Sequence, residues 1–75
     1  MDLDKLSLQL FQKHIIIFFK AGSPSFKTYG ASLTGILIGR NWSKEHVSSL
    51  TIKSEDKLMT IPMDDIKTME GAEAA

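Results

Sequence analysis

The strongest apolar pattern in the chain is the run His14 to Lys20, HIIIFFK, in which five large apolar residues stand between basic ones. Three are β-branched and two are aromatic, which favours a strand, and the lack of polar alternation means that both faces must be covered. This run is the expected central strand of a small core. Before it, Leu3, Leu6 and Leu10 recur at i, i+3 and i+7 with Phe11 beside them. That is one stripe of an amphipathic helix over about residues 3–13, capped by Asp2 or Asp4. Leu6, Leu8 and Leu10 also alternate, so a strand stays open for the same segment. A helix there would cover one face of HIIIFFK.

After the central strand, Ala21 to Ser25, AGSPS, joins two breakers to turn-forming serines and reads as a loop. Phe26 to Gly30 either continues that loop or forms a ragged strand end. Ala31 to Arg40, ASLTGILIGR, reads as a long strand with Leu33, Gly35, Leu37 and Gly39 on one face and Thr34, Ile36, Ile38 and Arg40 on the other. Glycine weakens a strand unless the sheet bends or another backbone comes close, so this strand is expected to curl between two halves of a small barrel. Asn41 to Glu45, NWSKE, is expected to be a polar loop. Val47 to Ser54 follows as a third strand with Leu50 and Ile52 inward, then a tight turn over Ser54 to Lys57. Leu58 to Ile61 forms a fourth strand, which Pro62 ends by removing a backbone donor. One helical turn over Met63 to Ile66 leads into a short fifth strand, Lys67 to Glu70. Residues 71–75, GAEAA, carry no large apolar residue and are expected to be disordered.

The predicted class is therefore mainly β: one domain over residues 1–70, a small five-stranded SH3-like barrel with a short N-terminal helix. Its expected core is Ile15, Ile17, Phe19, Leu33, Leu37, Leu50, Ile52 and Ile61. With the amphipathic helix, the apolar first strand HIIIFFK, the bent strand TGILIGRN and the ending LMTIPMDDIKTME, the chain from Leu10 through Glu70 resembles the Sm-like group of small SH3-type barrels. The resemblance implies that fold and, for the RNA binders of the group, recognition of single strands. Those binders carry an acidic residue and an asparagine after the bent strand and an arginine-glycine pair near the closing strand. This chain has Asn41 without a clear acidic neighbour, and Asp64, Asp65 and Ile66 where the pair would be sought. Its first loop is also longer than the tight turn of the group.

Composition limits what such a domain can do. At 75 residues only about 60% of the unfolded surface is buried on folding, and with no cysteine neither a disulfide nor a thiolate zinc site can compensate. A partner or a second copy would supply the missing burial. The first residues, MDLDKLSLQLF, lack the basic start and cleavage site of a signal peptide, and a five-residue apolar run is far short of the roughly 20 residues that span a bilayer. A cytoplasmic protein without membrane contact is expected. His14 and His46 have no metal-ligand spacing and no cysteine beside them, so the expectation is a non-enzymatic protein with no cofactor, metal or small-molecule substrate.

Net charge is zero, which argues against a generally basic nucleic-acid binder, but the distribution is uneven. Residues 13–46 hold Lys13, Lys20, Lys27, Arg40 and Lys44 against Glu45, five against one, a net of +4. From residue 47 onward, Lys53, Lys57 and Lys67 face Glu55, Asp56, Asp64, Asp65, Glu70 and Glu73, three against six, a net of −3. The basic middle also holds the loop aromatics, which nominates Lys27, Tyr29, Arg40, Asn41, Trp42, Lys44 and His46 as a partner-binding set, while Phe26 and Trp42 are alternatively caps for the open ends of the barrel. Aromatic and arginine residues anchor protein interfaces, and aromatics interleaved with cations also hold single strands by stacking and phosphate contact. Two functions follow: an interaction module that self-associates or docks on a protein, or a single-stranded RNA or DNA binder.

Overall fold

A computed structural model of the chain describes residues 2–72. The segment left open between helix and strand is helix α1, Leu3–Gln9, shorter than the expected 3–13. Asp2 caps it, its carboxylate accepting from the N–H groups of Asp4 and Lys5 at 3.0 and 3.3 Å. Leu3, Leu6, Leu10 and Phe11 pack against the core, as their spacing requires, while Leu8 points to solvent.

Strand β1, His14–Phe19, buries Ile15, Ile17 and Phe19 on one face. Its other face, Ile16 and Phe18, is only half buried, so the expected full cover of both faces is not reached. Ser23 to Gly30 departs from the sequence reading. It forms helix α2, Pro24–Tyr29, rather than a loop or strand end. The breakers of AGSPS act as helix signals: Ser23 Oγ accepts from the Phe26 N–H at 3.1 Å, and Pro24 occupies the first turn, where no N–H is needed. Gly30 then ends the helix at φ 90°, a backbone conformation that suits glycine.

Strand β2 runs over Ser32–Ser43, so Asn41 to Ser43 belong to a strand and the expected loop contracts to the turn Lys44–Glu45. β3 is His46–Ser54 and β4 is Lys57–Pro62. A single 3-10 turn, Met63–Asp65, leads into β5, Ile66–Gly71. Gly71 is thus strand, and Ala72 still donates its N–H to the His14 carbonyl at 2.9 Å. These two residues depart from the disordered tail expected over 71–75. Residues 73–75 lie outside the described residues.

These strands form one five-stranded antiparallel sheet in the order β4-β3-β2-β1-β5. The ladders do not close into a barrel, because β4 and β5 stand at opposite edges. In a flat sheet those edges would lie about 19 Å apart, and because both strands run in the same sense a strand length would be added to that gap. The three residues Met63 to Asp65 reach at most about 14 Å from Pro62 to Ile66. The sheet must therefore fold over on itself.

Gly35 marks where this happens. A Cβ there would come within 2.6 Å of Ile52 Cγ2 and 2.7 Å of the Lys53 carbonyl oxygen, which is the close backbone approach anticipated for a glycine inside a strand. Between the two halves lie Ile15, Ile17, Phe19, Leu37, Leu50, Ile52 and Ile61, all buried as expected, together with Val47, Ile66 and Met69, which the sequence reading left out. Leu33 is half buried at the margin of this core.

Candidate partner-binding surface

The seven nominated residues divide between the two ends of β2. Lys27 and Tyr29 belong to α2, which precedes that strand, while Trp42, Lys44 and His46 lie at its far end, around the turn into β3. They do not form one surface. Tyr29 is half buried with its ring centroid 5.9 Å from that of Phe19, and Phe26 also packs on the core. Both serve the fold by packing on the core. Lys27 is exposed.

Arg40 is displaced from its predicted face by a bulge. Leu37 pairs with Ile52, Gly39 with Thr51 and Arg40 with Leu50, so Ile38 is the extra residue and the alternation reverses beyond it. Gly39 moves to the outer face beside Thr51, and Arg40 moves inward opposite buried Leu50. There its Nε donates to Ser7 Oγ at 2.9 Å and its Nη2 to Asp4 Oδ1 at 2.7 Å. The guanidinium proposed to meet a partner is instead a fastener for α1, with only 15% of the side chain exposed.

A second irregularity follows, where Asn41 pairs with Ser49 and Trp42 with Val47. Asn41 stays on the outer face, where its amide donates to Ser49 Oγ and Thr51 Oγ1, both at 3.1 Å. Trp42 lies on the same side as Arg40, whose Cζ sits 5.6 Å from the centre of the indole ring. A guanidinium at that distance attracts the face of the indole and restrains it. Trp42 is still 58% exposed because the hairpin projects past the core. It is not sealed inside a barrel. Lys44 and His46 flank it at the tip and are exposed.

The sheet edges form a second candidate surface. β4 and β5, six residues each, have a strand partner on one side only, and Leu58 on β4 is 67% exposed. Among the described residues no group of three or more His, Cys, Asp or Glu side chains is placed to hold a metal ion, and no helix is long and apolar enough to cross a membrane. Compared with known protein families, curated proteins and solved structures, the chain matches no family, no protein and no structure.

Proposed function

We propose that the chain is a non-enzymatic interaction module, an open small barrel of SH3-like, Sm-like type, which self-associates by extending its sheet. The observation that carries this reading is that β4 and β5 stand at the two ends of the strand order, each with a strand neighbour on one side only. Unpaired backbone groups along an edge are a template for another strand, and joining the β4 edge of one copy to the β5 edge of the next satisfies both. An antiparallel alignment with Met59 opposite Met69 keeps the inward residues inward and brings Thr60 opposite Thr68. It also gives exposed Leu58 a neighbour. The added burial is what a cysteine-free core of this size lacks.

Sedimentation at high micromolar concentration tests the proposal. Oligomers are expected, and Leu58→Lys, which places a charge on the edge without touching the core, should weaken association at least about tenfold. A protein that sediments only as monomer would overturn it.

Exposed Trp42 favours a second reading, a binder of single-stranded RNA or DNA in which the free face of the indole stacks on a base while Lys44 and His46 meet the backbone phosphates. Trp42 fluorescence should then change on addition of an oligonucleotide. Lys44→Ala should lower the salt slope by about one. An unchanged emission at low salt excludes this reading.

A further inference from the structure

The outer face of the sheet carries a depression with a cavity volume of about 410 Å³, lined by His14, Thr34, Ile36, Lys53, Ser54 and Glu55. Strand register sets its layout. His14 stands opposite Ile36, and Ile36 opposite Lys53, so three neighbouring strands each contribute one residue to a single row. With strands about 4.8 Å apart, the backbones that bear the imidazole and the ammonium are roughly 10 Å apart, and Ile36 is the apolar floor between them. Ser54 ends β3 and Glu55 opens the turn into β4, which places a hydroxyl and a carboxylate at one rim.

The polar groups here differ from those at Arg40 and Asn41. Among the described residues, the side chains of His14, Lys53 and Glu55 make no hydrogen bond or ion pair, and Lys53 and Glu55 are not paired with each other. Thr34 and Ser54 hydroxyls are likewise without a protein partner. One cation and one anion therefore face the same small space over an apolar floor. A purely anionic guest would meet the charge of Glu55 and a purely cationic one that of Lys53; a guest bearing both signs satisfies each.

We propose that this depression binds a small zwitterion of the free amino-acid class. Its carboxylate is received by Lys53 with His14, its ammonium by Glu55 with the Thr34 and Ser54 hydroxyls, and its apolar side group rests on Ile36. The cavity lies near the lower end of the roughly 300–1,000 Å³ range of small-molecule sites, which suits a guest of that size. This departs from the sequence expectation of no small-molecule ligand, and it is independent of self-association at the sheet edges.

The test is a nitrogen-15 NMR titration of the full chain with L-leucine and with L-phenylalanine, alongside N-acetyl-leucine, which lacks the ammonium, and leucinamide, which lacks the carboxylate. Saturating shifts are expected at His14, Thr34, Ile36, Lys53 and Ser54 with a Kd of about 1 mM for at least one amino acid, and each singly charged analogue should bind at least about fivefold more weakly. Lys53→Met and Glu55→Gln should each weaken binding to a similar degree while the rest of the spectrum stays in place. If one variant does not fold, the other variant and the analogues still decide. Absence of saturable shifts up to about 20 mM, equal binding of the analogues, or variants that bind like the parent would each overturn the proposal.

Discussion

α1 and α2 are seven and six residues long, too short to persist alone, and each is fastened to the rest of the fold by one set of polar contacts. For α1 the fastener is Arg40, which reaches Ser7 and the half-exposed carboxylate of Asp4. For α2 it is Asp65, whose Oδ2 accepts from the Ser25 N–H at 3.1 Å and from the Ser25 hydroxyl at 2.6 Å, with both residues buried. The difference lies in what each contact leaves behind when it is removed. Without Arg40, Ser7 Oγ still donates to the Asp4 carbonyl at 2.7 Å and the Asp4 carboxylate turns to water. Without Asp65, a buried backbone N–H and a buried hydroxyl both lose their partner. The cost of an orphaned buried donor exceeds the gain from the bond itself, so the two attachments are unequal in energy.

Asp65→Ala tests the stronger attachment and should cost about 3 kcal/mol, combining two charge-assisted hydrogen bonds with the unsatisfied Ser25 groups. Denaturant unfolding measures this, and hydrogen exchange should show α2 opening before the strands. A loss below about 1 kcal/mol would mean that α2 holds through Phe26 and Tyr29 alone. Arg40→Met keeps the stem and removes the charge, and should cost about 1 kcal/mol. Because Asp4 is partly exposed, the gap between variant and parent should narrow as salt rises toward about 1 M, where screening acts over roughly 3 Å. A gap insensitive to salt would place the value of Arg40 in its contact with Ser7. Trp42→Ala comes last, with an expected change within about 0.5 kcal/mol, since the indole is mostly exposed. A larger loss would show that the Arg40–Trp42 contact is part of the α1 attachment.

What the sequence makes legible follows the range of the interactions that decide each element. Ile15, Ile17, Leu37, Leu50, Ile52 and Ile61 were readable as core because β-branched runs and alternation report burial locally. The turns at Lys44–Glu45 and Glu55–Asp56 fall where polar residues interrupt those runs. α2 went unrecognised because six residues are too few for a helical period to emerge, although Ser23, Pro24 and Gly30 spell its boundaries. Asn41 to Ser43 reads as loop because Asn41, Ser43 and the polar residues that follow outweigh the strand preference of Trp42 alone. They are held in a strand by pairing with β3, which is a tertiary effect. The candidate surface was less legible than the fold for a related reason. A bulge of one residue at Ile38 decides whether Arg40 faces a partner or faces α1, and no local signal in GILIGR announces it. Residue type nominated Arg40 and Asn41 for a partner, and could not announce that their side chains bond to Asp4 and Ser7 and to Ser49 and Thr51 of the same chain.

The position of β1 in the sheet bears on how the chain is made. β1 pairs with β2 on one side and with β5 on the other, so HIIIFF gains its second neighbour only from residues 66–71. At roughly 5 to 20 residues per second, a growing chain holds that apolar strand for several seconds before its partner exists. During that interval the charges at Lys13 and Lys20, which flank the run, oppose its sticking to other chains. The strand thus gains its second neighbour only once residues 66–71 have been made, and a chain cut short before Ile66 would keep one side of it unpaired, an edge open to aggregation.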